Sequence, residues 1–234
     1  MVSNGIGFYL TVYRDEIWAH RLVRQIKTFY PEAPILITTD GPAHAPSLDA
    51  MEGATVIQFN RRLKVVGNGG LYTQRNVLAA VVVAEQHNVD IMIRVDPDSY
   101  LWRPFTYYPD SEWFGSTYNI TSSLGVSTCC AGGCWGIRTP LLKRLAKSKI
   151  LLDDRLFAKD ISYARYHVRS LQKQGDTTRS RELIIKDGTM MGWAVNQLGV
   201  IPTKWDEVHV PRNGEIIQTP PFKYAVTHPV RSIP

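Results

Sequence analysis

Ile91-Met92-Ile93-Arg94-Val95-Asp96-Pro97-Asp98 is an apolar, partly β-branched run that stops at two carboxylates one residue apart. Such a run suits a strand buried on both faces, with the carboxylates at its carboxyl end. In open α/β sheets that edge is where ligands bind. Two hard oxygen donors there can hold a divalent cation, and a cation can hold a diphosphate. An Asp-x-Asp is by itself a weak signal in a chain of 234 residues. Its position gives it weight, because a chance pair falls more often in a polar turn than behind a buried strand.

The residues before this strand alternate between two periodicities. Gly5–Tyr13 reads as a first strand, and Asp15 is a candidate N-cap. Ile17, Trp18, Leu22, Ile26 and Phe29 then follow helical spacing until Pro31. Ile35–Thr39 is a second strand, stopped by Asp40-Gly41-Pro42. A Pro-punctuated helix near Pro46–Glu52 leads to a third strand at Ala54–Phe59. The turn Gly67-Asn68-Gly69-Gly70 opens a helix from about Leu71 to His87, and the carboxylate-bearing strand follows. This order predicts an α/β, Rossmann-like fold: a mostly parallel central sheet with helices on both faces.

Beyond the carboxylates the pattern is less regular. Glu112–Thr117 reads as a short strand, and Cys130–Ile137 as a Gly-rich segment passing into a helix at Pro140–Lys149. A long basic stretch covers Asp153–Lys173, and Gln174–Arg181 is polar. A helix near Gly188–Leu198 and short strands within Ile201–Val210 and Lys223–His228 close the chain. No internal repeat is visible, and the length suits a single domain over 1–234.

Composition narrows the function classes. A hydrophobic fraction of 44% fits a globular protein with a substantial core. Met1–Gly7 has neither the basic start nor the apolar stretch of a secretory signal. The longest apolar run, Val77–Ala84, is too short to span a bilayer. The expected location is therefore the cytoplasm, and any membrane contact is peripheral. Cys129, Cys130 and Cys134 do not have a usual zinc spacing and read as small buried residues in a reducing compartment. The net charge of +6 is concentrated in residues 138–186, where Lys and Arg outnumber Asp and Glu by more than two to one. That segment suits an anionic acceptor, a membrane surface or a nucleotide diphosphate, or is a solvated helical face. No motif with interleaved aromatic platforms is present, so nucleic acid is not the expected partner.

With Asp96-Pro97-Asp98 behind the fourth strand, the chain resembles the GT-A fold of nucleotide-sugar-dependent glycosyltransferases. The resemblance covers most of the chain, although its specific motifs are short. It implies a metal-dependent transfer of a sugar from a nucleotide-sugar donor to a hydroxyl of a glycan or other acceptor, with Mn²⁺ or Mg²⁺ as cofactor. Residues 1–105 would be the nucleotide-binding half and 106–234 the acceptor-binding half. Asp98 would bind the metal directly, and Asp96 would contact the ribose or the metal shell. A late His in the family is matched by His228 in Tyr224-Ala-Val-Thr-His228-Pro229. Thr11 and Tyr13 at the end of the first strand, Asp40 after the second, and Arg75 of Arg75-Asn76 would lie near the donor. Asp40 is equally a turn residue, Arg75 a solvated helix residue and His228 a structural strand-end histidine.

The resemblance also assigns chemistry. Asp187, in Leu183-Ile-Ile-Lys-Asp187-Gly, would be the base that takes the acceptor proton in an inverting reaction, although it equally reads as an N-cap. The family usually has Glu-Asp there and this chain has Lys186-Asp187. A similar segment orients the donor sugar in retaining members, so a retaining enzyme is the alternative. Gly132-Gly133-Cys134-Trp135-Gly136 resembles the acceptor-side loop, with Gly133 allowing close approach and Trp135 stacking on a sugar or packing in the core. A non-catalytic nucleotide-sugar or nucleic-acid binding module is the non-enzyme alternative.

Overall fold

Strand runs and helical runs alternate through the first hundred residues, and the chain folds accordingly. The computed structural model of the protein describes residues 5–12, 16–40, 51, 53–59, 65–122, 125–153, 187–210 and 223–228. Its elements are β1 (Ile6–Val12), α1 (Glu16–Phe29), β2 (Ile35–Asp40), β3 (Ala54–Phe59), α2 (Val65–Gln86) and β4 (Ile91–Val95). Then come β5 (Tyr100–Leu101), β6 (Trp113–Ser122), β7 (Gly125–Arg138) and α3 (Thr139–Ser148). A 3₁₀ turn (Ile150–Leu152), α4 (Asp187–Gln197), β8 (Thr203–Lys204), β9 (Val208–His209) and β10 (Val226–Thr227) complete them.

Seven strands form one sheet in the order β3-β2-β1-β4-β7-β6-β8. The β3, β2, β1 and β4 strands are mutually parallel, and β7 then runs antiparallel to both β4 and β6. Every residue of β4 is buried, which explains why all but Arg94 are apolar. Alternation sorts the side chains of the central strands. Phe8, Leu10, Ile35, Ile37, Ile91 and Ile93 face α1, with Leu22 and Ile26 of that helix in the same cluster. Tyr9, Leu36 and Met92 face the other way, onto Val77, Ala80 and Val83 of α2, with α3 and α4 beside them. Each such fully buried aliphatic chain contributes about 1.5–3 kcal/mol relative to exposure. Helices thus cover both faces, as the alternating pattern predicts.

A second, three-stranded sheet sits on the α1 side, in the order β5-β10-β9. It shares that core through Leu101, Val208 and Val226. No helix among the described residues is long and apolar enough to cross a membrane.

Three sequence expectations are corrected. The Gly67–Gly70 stretch lies inside α2, which starts at Val65, rather than in a turn before it. Glycine in a helix costs about 1 kcal/mol but does not forbid it. The strand expected at 112–117 extends to Ser122. Residues 130–137, expected as a Gly-rich loop segment, belong to the 14-residue strand β7. Their glycines answer to neighbours across the sheet: a Cβ on Gly136 would enter the Phe114 ring. The helix expected near 46–52 and the basic stretch beyond Asp153 lie outside the described residues.

Candidate metal centre

Where β4 ends, the chain makes a tight turn that presents its two carboxylates. Asp96 N–H donates to the Gly133 carbonyl of neighbouring β7 at 2.7 Å, and Ser99 N–H donates back to the Asp96 carbonyl at 2.9 Å. The Arg21 guanidinium of α1 donates to the Ser99 carbonyl at 3.0 Å. Burial pulls the Arg21 pKa below its usual value, and the nearby Tyr100 and Asp98 oppose that shift. The turn is thus clamped from two sides before any ligand is considered.

His228 reaches this turn from the other end of the chain. It directly follows β10, whose Val226 and Thr227 pair with Leu101 and Tyr100 of β5. Its N–H donates to the His209 carbonyl at 3.1 Å. Its Nδ1 lies 3.1 Å from Asp98 Oδ1 and 3.2 Å from Ser99 Oγ, and its Nε2 lies 3.7 Å from Asp96 Oδ2. Ser99 Oγ also donates to the Gly133 carbonyl at 3.1 Å, so towards an Nδ1 proton it acts as acceptor. In that tautomer Nε2 keeps its lone pair for a ligand.

One ligand atom from each of Asp96, Asp98 and His228 can be chosen so that all lie within 4.8 Å of one another. Two carboxylates and an imidazole could hold a metal ion. The side chains of Asp96, His228 and Asp98 are 23%, 17% and 10% exposed, so the group is open to an incoming ion. Gly133, with φ +105°, completes the wall: a Cβ there would run into the His228 ring. Only glycine combines this left-handed backbone with that clearance.

The opposite oxygen of Asp96 is held by Arg94, whose Nη2 lies 2.8 Å from Oδ1. Arg94 also lines a cavity between the sheet and α2, together with Tyr9, Thr11, Tyr72, Thr73, Asn76, Trp135 and Met191. Asn76 Oδ1 is buried and has no hydrogen-bond partner among the described residues. Thr11 Oγ1 accepts from Thr38 Oγ1 at 3.3 Å.

The structure therefore brings together Asp96, Asp98, His228 and Gly133, and places Thr11 and Trp135 on an adjoining cavity. Gly133, expected on an acceptor-side loop, lies against the His228 ring. Trp135 also departs from expectation, being 2% exposed and packed edge-on against Tyr9 and Trp113. Such a ring offers no open face for a sugar. Arg75 lies over the Phe59 ring at 4.0 Å, towards β3. Asp40 ends β2 and Asp187 begins α4, but their side chains, and all of Tyr13, lie outside the described residues. Sequence reasoning missed Arg21, Arg94 and Ser99. Arg94 carried a signal, since a cation in a fully buried strand needs a partner, and the residue two further along shares its face. No protein-family model matches the chain, and no curated protein matches it in sequence.

Proposed function

We propose that the chain is a metal-dependent glycosyltransferase of GT-A type, moving a sugar from a nucleotide-sugar donor to a hydroxyl of a glycan or other acceptor. The observation that carries this reading is the convergence of Asp96, Asp98 and His228 behind the central strand of a mostly parallel sheet. A divalent ion such as Mn²⁺ or Mg²⁺ held by these residues supplies Lewis-acid compensation for the charge that develops on the leaving nucleoside diphosphate.

The chain's own residues supply orientation. Arg94 fixes one oxygen of Asp96, and Ser99 together with Asp98 fixes the His228 ring. Asp187, the first residue of α4, is the base that takes the proton from the acceptor hydroxyl in the inverting form of this reading.

A thermal-shift screen of UDP-, GDP-, CMP- and dTDP-sugars, with and without Mn²⁺, tests the proposal. One nucleotide class raising Tm only when metal is present is the expected result. Failure of every nucleotide sugar to raise Tm in Mn²⁺ rejects it. Asp187→Asn should keep donor binding and lose transfer, and retained transfer would remove it as the base.

A further inference from the structure

Glu207 is a carboxylate only 4% exposed, and nothing in the chemistry above uses it. Its side chain collects an unusual number of donors. Oε1 accepts from Arg103 Nη1 at 2.6 Å and from Thr106 Oγ1 at 2.9 Å. Oε2 accepts from the Thr106 N–H at 2.9 Å and from the Tyr107 N–H at 3.3 Å. A buried carboxylate so fully satisfied rigidifies whatever it joins.

What it joins is the path to His228. The Glu207 carbonyl accepts from the Ala225 N–H at 2.9 Å and from the Val226 N–H at 3.1 Å. Val226 and Thr227 are the whole of β10, and His228 is the next residue. Arg103 adds a second tie, donating from Nη2 to the Lys223 carbonyl at 3.1 Å while Nη1 holds Glu207. On the other flank, the Trp102 N–H donates to the Ala225 carbonyl, and Trp102 Nε1 donates to Thr227 Oγ1 at 2.8 Å. The segment 102–107 continues directly from β5, which starts two residues after Asp98. Both ligand-bearing arms of the metal group, 98–107 and 223–228, are therefore clasped by one ion pair.

We infer that Glu207, paired with Arg103, is a positioning residue that sets the separation of His228 from Asp98 and so tunes metal affinity. Two-residue strands supply few ladder bonds, so β5, β9 and β10 cannot hold this register by themselves. The pair, buried at its Glu207 end, supplies the missing constraint. This inference rests on the metal reading proposed above.

Mn²⁺ affinity of the folded protein, followed by electron paramagnetic resonance of free and bound ion, tests it. Glu207→Gln keeps the shape and removes the charge, and it should weaken Mn²⁺ binding about tenfold or more, the scale typical of outer-shell support. Arg103→Met should weaken it in the same direction, and it serves if Glu207→Gln does not fold. Leu145→Ala, in the core between α3 and α2, is the control for a merely structural loss. It should lower Tm and leave Mn²⁺ affinity unchanged. Wild-type affinity in both clasp variants overturns the inference while leaving the metal reading intact. Absence of Mn²⁺ binding by the wild type overturns both.

Discussion

Two groups of metal-ligating residue types, one just beyond β4 and β10 and the other on β7, differ in almost every physical respect. Asp96, Asp98 and His228 are partly open to water and tied to Arg94 and Ser99. Cys129, Cys130 and Cys134 are all 0% exposed and unpaired by disulfides. Burial pushes the Cys129 thiol up to about 12, and those of Cys130 and Cys134 higher still. A thiol must lose its proton to bind metal, and a dry core withholds that step. The cysteines do not converge either. Cys130 packs in the α2-side core and Cys134 in the α1-side core, because β7 changes register against β6 between the pairs Cys130–Thr117 and Trp135–Gly115. Ligand chemistry depends on hydration and convergence, not on residue type and spacing alone.

The largest expected effect belongs to the open cluster. Asp98→Ala should abolish Mn²⁺ binding and turnover, a loss of at least about 100-fold, with an unchanged far-ultraviolet circular dichroism spectrum. Retained metal affinity would break the contrast outright. Next in size is Gly133→Ala, which combines a strained backbone with displacement of His228. It should cost roughly 2 kcal/mol in denaturant unfolding and weaken Mn²⁺ binding as well. A change in one without the other would separate the backbone from the imidazole.

The closed cluster should respond in the opposite sense. Cys130→Ala should cost about 1–2 kcal/mol of stability and leave Mn²⁺ stoichiometry and affinity alone. Smallest is the share of the pH dependence that belongs to Cys129. A thiol whose folded pKa is raised contributes stability that is complete below its unfolded pKa, near 8.5, and declines as pH rises from there. For Cys129 the decline runs from about pH 8.5 towards about 12. Its slope is at most about 1.4 kcal/mol per pH unit. Denaturant unfolding at pH 8 and pH 9 should show the summed decline of the three buried thiols in the wild type and a shallower one in Cys129→Ala. Equal slopes would mean that the thiol is not held protonated by the fold.

The same contrast explains what could be read from the chain. The β1–β4 half was legible because local rules govern it: β-branched runs, helical spacing and Gly or Pro stops fixed Ile6–Val12, Ala54–Phe59 and Ile91–Val95 to within a residue or so. The Asp-x-Asp at a strand end was legible for the same reason. The long strand β7 was not, because its glycines suggest a loop locally and are explained only by the Phe114 ring that fills the space at Gly136. The contact of His228 with Asp98 is likewise non-local. It depends on a two-residue strand whose partners lie in β5 and β9, and no period can be detected over so short a run. Trp135 illustrates the same difficulty, since a core aromatic and a sugar-stacking aromatic look alike in sequence.

The central claim is that the acidic turn after β4 and the histidine after β10 form one divalent-cation site. Titrating the wild-type chain and His228→Ala with Mn²⁺, with bound ion counted by electron paramagnetic resonance, tests it most directly. One saturable site per chain in the wild type, lost or weakened by at least about tenfold in His228→Ala, is the predicted result. No saturable site in the wild type, or one of undiminished affinity without the imidazole, would contradict it.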